Sequence, residues 1–253
     1  TVAVGVSVAG QGITAAVSTS TADAQAFGIA AGAGADRIES TGDITADASS
    51  TAVTANVSVT GKGIAGAADA VWDGGTRSTA VAKGIDAGAE IDSDTILSKG
   101  DIRATSGATT VGVAAAITGQ GVSLATTTST TTALAAGIDA GAGNDTIQSE
   151  GTIVADASAT GVAVAASITG TGVTGAADAV WDGGTHTTAL AAGIGAGDGV
   201  DTITNKGNIT ATSDALTVAV DAAITGTGVS LAATTATTTA QAVGIDGGAG
   251  NDT

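Results

Sequence analysis

A chain of 253 residues with 40 glycines, 1% aromatic residues and no Pro, Cys, Met or Tyr cannot build a thick core of interleaved large side chains. Its apolar residues are mostly Ala, Val and Ile, which suits a thin core between closely spaced sheets; a positive mean hydropathy and regular Val/Ile alternation oppose disorder. A net charge of −17 excludes nucleic acid and anionic membrane surfaces as partners and points to bound cations, because clustered carboxylates repel unless something neutralises them.

The first predicted element is a half-buried strand, Thr1 to Gly10, in which Val2, Val4, Val6 and Val8 alternate with small or polar residues. The same strand returns as Val53 to Val59, Val111 to Ile117, Val162 to Ile168 and Leu216 to Ile224. Each runs into a turn, AGQG, TGKG, TGQG, TGTG and TGTG, whose two fixed glycines fit positions needing positive φ. Units of two kinds then alternate. One is Thr-rich, as in GVSLATTTSTTTALAAGID from Gly121; the other carries GAADAVWDGG, at Gly66 to Gly75 and Gly175 to Gly184.

Every unit leads to an acidic turn and two short Ile-centred strands, seen most clearly in GIDAGAGNDTIQSEGTIVADAS, Gly137 to Ser158. Relatives of this stretch begin at Gly28, Gly84, Gly193 and Gly244, so units span 28–83, 84–136, 137–192 and 193–243, with partial units 1–27 and 244–253. A pair of units is about 109 residues, the distance from Gly28 to Gly137, and is the true repeat. The matching starts at Thr1 and Thr217 lead us to expect a window from a longer array, or a subunit whose ends are completed by neighbours.

Ile stacked on Ile from rung to rung predicts an all-β, parallel β-solenoid, and no 3.6-residue apolar period competes with it. Rungs of roughly 18 to 25 residues would place two or three in each unit. Stacked antiparallel hairpins, made by folding each Val strand back at the TGxG turn, are the competing layout. The spare residues in EIDSDTI, against GNDTI elsewhere, mark the acidic turn as a loop.

GAGNDTI at Gly141 to Ile147 and GGAGNDT at Gly247 to Thr253 resemble the RTX nonapeptide, which binds calcium in parallel β-rolls. Glycines let carbonyls face a hard cation, the Asp supplies charge, and the next apolar residue anchors the turn. The resemblance places Asp145 and Asp252 at the Asp position, with Asn144 and Asn251 before them; Asp36, Asp201 and Asp94 match it in weaker copies. RTX motifs come in tandem, whereas these stand about fifty residues apart. A neighbouring rung must therefore supply further calcium ligands, from Asp86, Asp139, Asp246, Glu90 and Asp92. A plain Gly/Asn/Asp turn without metal is the other reading.

The pattern DTIxxxGxIxA behind long Val/Ala strands also resembles repeat regions of large bacterial surface adhesins and passenger domains with β-helical shafts. That resemblance covers essentially the whole chain and implies an extracellular or cell-surface prokaryotic protein. It is one of composition and period, and names no ligand. The Thr tracts Thr126 to Thr132 and Thr234 to Thr239 read as a plain β surface, a glycan-bearing face or an ice-ordering face. Trp72 and Trp181, in identical AVWDGG contexts, read as core, cap or lateral contact.

Enzyme chemistry has no support: His186 aligns with Arg77, and no second carboxylate or nucleophile stands at a persuasive spacing. The expectation is a structural shaft or self-assembling filament that stacks end to end on copies of itself, with calcium as candidate cofactor. The alternative is an adhesin stalk contacting a glycan, ice or a surface through its Thr-rich or Trp-bearing faces.

Overall fold

The structure, a computed structural model, describes residues 1–68, 75–177 and 184–253. Among them the chain forms five stacked rungs and no helix. The first rung holds β1 (Val2–Val17), β2 (Thr21–Ala30) and β3 (Arg37–Ser40); the second holds β4 (Ile44–Ala68), β5 (Thr76–Asp86) and β6 (Thr95–Ser98). The third holds β7 (Ile102–Thr126), β8 (Ser129–Asp139) and β9 (Thr146–Ser149). The fourth holds β10 (Ile153–Ala177), β11 (Thr185–Gly195), the two-residue β12 (Asp198–Gly199) and β13 (Thr202–Asn205). The fifth holds β14 (Ile209–Ala233), β15 (Ala236–Asp246) and β16 (Ala249–Gly250).

Corresponding strands line up in four parallel sheets, ordered β1-β4-β7-β10-β14, β2-β5-β8-β11-β15, β3-β6-β9-β13 and the two-stranded β12-β16. Among the described residues every strand pair is parallel, so they form the β-solenoid and not the stacked-hairpin layout. The expected rung of roughly 18 to 25 residues is corrected. Ile102 pairs with Ile153 and Ile153 with Ile209, so one whole unit makes one rung. The physical reason is the turn inside the long strand. Two residues seven apart in an extended strand lie about 23 Å apart. Yet Thr174 Oγ1 donates to Ser167 Oγ at 2.8 Å, and Asn56 Nδ2 reaches the Ala68 carbonyl at 2.6 Å. The 25-residue strand therefore folds back at TGxG, and its two arms face each other through side chains within one rung.

Only the second glycine of each such turn takes positive φ, at 130° in Gly63 and 138° in Gly172. The first is needed for another reason: a Cβ on Gly61 would sit 2.4 Å from the Gly10 carbonyl oxygen of the adjacent rung.

The core changes character along this flattened cross-section. At the edge that carries the acidic turn, Ile102, Ile138, Ile147 and Ile153 belong to one continuous buried Ile cluster. Next, Ala104 and Ala108 of the long strand pack with Ala133 and Ala135 of β8. A hydroxyl layer follows, in which Thr110 bonds Ser129 and Thr131, and Ser50 bonds Ser78 at 2.6 Å. Beyond it lies a second Ala cluster, including Ala114, Ala116, Ala165 and Ala176. Small residues on both sheets let the layers close up, and Thr110, Ser129, Thr131, Ser50 and Ser78 find hydroxyl partners across the gap, while Thr187 Oγ1 is buried without one.

Strict alternation does not say which face is inside, and here the smaller residues take it. Ala114, Ala116 and Thr110 are fully buried, while Val111, Val113 and Ile117 look outward. Parity must then shift for the Ile file to point in. It does so at Gly137, where Gly137 and Ile138 are both buried. A Cβ on Gly137 would lie 2.2 Å from Ile153 Cγ2 and 2.5 Å from the Gly193 carbonyl oxygen. Gly107, by contrast, faces open space. Gly137→Val is expected to cost about 3 kcal/mol or more, and Gly107→Ala to change stability by less than about 0.5 kcal/mol. Urea unfolding midpoints of the two variants check this.

Candidate functional site

The acidic turn follows the inward step at Gly137. Gly141 and Gly143 carry it with φ of 94° and 138°. Stacking at the turn is close enough that a Cβ on Gly143 would fall 1.8 Å from the Asp92 carbonyl oxygen. This brings Asp36, Asp94, Asp145, Asp201 and Asp252 into one file, one per rung. From Asp94 onward, each carboxylate accepts the backbone N–H of the preceding file member. Asp36 N donates to Asp94 Oδ1 at 2.7 Å, Asp94 N to Asp145 Oδ1 at 2.8 Å, Asp145 N to Asp201 Oδ1 at 2.8 Å, and Asp201 N to Asp252 Oδ1 at 3.0 Å. Asp94, Asp145 and Asp201 are 5%, 1% and 1% exposed, so the three interior members form a buried column of carboxylates.

The column is incompletely satisfied. Oδ2 of Asp36, Asp145 and Asp201 is buried without a hydrogen-bond partner. Burial pushes the Asp145 carboxyl above its ordinary range. The Asp94 N–H pulls it back, and the charges of Asp201 and Asp94 push it up again.

The other predicted ligands stand elsewhere. Asp86, Asp139, Gly195 and Asp246 share a file at the end of the second sheet, and Gly195 interrupts it. Lys83 Nζ takes the first two, at 3.0 Å from Asp86 Oδ1 and 2.7 Å from Asp139 Oδ2. Burial lowers the pKa of Lys83, and its bonds to Asp139 and Asp86 more than offset this, leaving it raised. Asp246 Oδ1 accepts from Gly248 N at 3.1 Å within its own turn. Asn144 Oδ1 accepts from Val200 N at 2.8 Å, bracing the next rung. Glu90, Asp92 and Asn251 are exposed, and the inserted Ile91 bulges into solvent at 89% exposure, as a loop insertion does.

Among the described residues, no three His, Asp or Glu side chains gather as a metal-holding group. What the column offers a hard cation is its orphaned Oδ2 atoms, which are donors of the kind calcium takes; further oxygens would have to come from turn carbonyls and water. Trp72 and Trp181 lie outside the described residues.

Two features were missed because the sequence was read with shorter rungs. Oδ1 of Asp94, Asp145, Asp201 and Asp252 is a rung-to-rung acceptor. Thr79, Thr132, Thr188 and Thr239 form one outward file over four successive rungs, joining both kinds of unit. Aligning the units one per rung brings out both. The chain matches no family model, no curated protein and no solved structure.

A raised folded pKa means that the folded chain holds a proton which the unfolded chain releases. The Asp145 contribution is thus complete below the ordinary carboxyl value, near 3.9, and shrinks as pH rises through the raised value. In chelator, the melting temperature of Asp145→Asn relative to wild type is expected to climb between pH 4 and pH 7. A difference that stays constant with pH would show that Asp145 does not titrate in that window.

Proposed function

We propose that the chain is a structural, non-catalytic segment of an extracellular prokaryotic protein, a rigid shaft that lengthens into a filament or surface layer by end-to-end stacking of copies. The observation that carries this reading is the residue-for-residue register between rungs. It runs along the 25-residue strands, the shorter sheets and the aspartate column alike. A cross-section that repeats in this way stacks on a copy of itself as readily as on its own next rung. Backbone groups at a rung edge bond only to the rung above or below, so an added copy satisfies what an edge leaves open.

Calcium belongs to the proposal through the column. Asp145 and Asp201 are the residues that would hold it, by their orphaned Oδ2 atoms. Bound there, it supplies the positive charge that a file of buried carboxylates lacks.

A second reading is supported by the outward Thr79, Thr132, Thr188 and Thr239 file, a regular hydroxyl row of the kind that contacts a glycan, ice or a solid surface. In that reading the chain is an adhesin stalk.

Electron microscopy of the purified chain, in calcium and again after a chelator, tests these readings. Fibres that fray or dissolve on chelation are the expected result. Fibres indifferent to chelation would remove calcium from the proposal and keep the stacking. Isolated rods in both conditions, even at high protein concentration, would overturn end-to-end assembly in favour of the stalk.

A further inference from the structure

The outer face of the long-strand sheet is apolar, and nothing in the stacking of rungs requires it to be. Its first arm presents Val111, Val113 and Ile117 in the third rung and Val162, Val164 and Ile168 in the fourth. The other rungs place Val, Ile or Ala at the same positions. Ile117 and Ile168 sit in interior rungs, flanked on both sides by their own file, and are still 40% and 43% exposed. At the outward positions of 53–59, 111–117, 162–168 and 218–224 there is no charged side chain, in a chain of net charge −17.

The patch has the layout of an interface. On one side it is bordered by the outward Asp47, Arg103 and Asp156, and on the other by the exposed turn with Lys62 and Gln120. A polar rim around a charge-free apolar centre is the anatomy of a protein contact. Five strands at about 4.8 Å spacing and seven residues at about 3.3 Å rise give roughly 24 by 23 Å, or about 550 Å². That is at the upper end of the ~300–600 Å² of a monomer's largest patch, and a pair buries about 1,100 Å² in total, above the ~1,000 Å² that a specific interface clears.

We infer that this face is a lateral docking surface for a second copy of the chain, pairing two shafts side by side through their Val/Ile files. The occupant follows from shape and charge. The face is β-branched and repeats at the pitch of one rung, and the same face on another copy matches it in pitch, width and lack of charge, whereas the second arm's outward Val122, Leu124 and Val173 form a narrower strip. A two-fold axis then makes it self-complementary, and two such sheets pack at the ~10 Å distance of a β-sandwich. Pairing thickens a shaft and is independent of the end-to-end stacking that lengthens one.

The test is a double variant, Val113→Lys with Val164→Lys, beside Leu134→Lys on the outer face of β8. Mass per unit length is measured where fibres form, and molar mass by sedimentation equilibrium where particles stay short. Wild type is expected at two chains per cross-section, the double variant at one, a twofold drop, and Leu134→Lys at two. All three should keep the same circular dichroism spectrum, because every substituted side chain points outward. A drop in mass with loss of β signal would be misfolding; Val113→Ser with Val164→Ser, which keeps the face neutral, then replaces the lysine pair and must weaken pairing in turn.

Wild type with one chain per cross-section, or a double variant that stays at two, overturns the inference. So does wild type that stays single but floats with phosphatidylcholine vesicles, which would assign the face to lipid. Paired particles that never lengthen would sink end-to-end assembly and leave lateral pairing standing.

Discussion

Parallel stacking in register sets every residue beside its own counterpart, about 4.8 Å away, and the rest of the structure answers to that constraint. A residue is thus chosen for how it packs as a file. Ile files interlock, so Ile102, Ile138 and Ile153 can fill the wide edge of the rung. Ala and hydroxyl files let opposing sheets close together, so the middle of the rung stays thin. Gly files admit carbonyl oxygens where a Cβ would strike the next rung, as at Gly61 and Gly143. An Ala-lined core gives little burial energy per residue, at roughly 0.8 kcal/mol per methylene-sized group. Much of the cohesion therefore lies in the backbone ladders between 25-residue strands, at about 0.5–1.5 kcal/mol per bond.

The same constraint admits Val and Ile only on the outside of the long strands. Val and Ile have high strand propensity, and their bulk is too great for the thin gap between the arms. With Ala, Ser and Thr inside, the β-branched residues that stiffen the strand go outward. Repetition then turns one exposed Val into a continuous surface.

The all-β class, the repeat, the Ile ladder and the solenoid stacking were legible in the sequence because each rests on a local pattern repeated at fixed spacing. Rung length was not. An extended strand and a strand folded at TGxG have the same alternation, and only contacts such as Thr174 to Ser167 reveal the fold-back. The inner face of Val2–Val17 was not legible either, since alternation fixes two faces and leaves open which is covered. For the acidic turns, the motif picked out Asp36, Asp94, Asp145, Asp201 and Asp252, and these do share one file. It missed that one carboxylate oxygen of each successor is already committed to a backbone N–H. The segregation of Asp86 and Asp139 to Lys83 depends on which turn follows which strand, and spacing alone does not encode it.

A file of identical charges in neighbouring rungs lies well inside the ~8 Å screening length of physiological salt, whereas charges two rungs apart, about 9.6 Å, lie beyond it. This gives a physical account of why the repeat is a pair of units. Along one outer file the residues run Asp47, Thr105, Asp156, Thr212, with acid on alternate rungs. Another runs Arg77, Thr130, His186, Thr237. A third file alternates in sign, Lys99, Glu150 and Lys206 directly after their aligned strands, with Lys206 at 3.0 Å from Glu150; where Asp86 and Asp139 repeat an acid, Lys83 bridges them, and where Asp43 and Asp101 do, the Asp43 carboxylate accepts the Asp101 N–H. The aspartate column carries an acid in every rung, and its interior members are buried. It stands only because each successor's Oδ1 takes an N–H from the rung before. Its remaining oxygens therefore concentrate the demand for a proton or a cation that alternation relieves along the surface files.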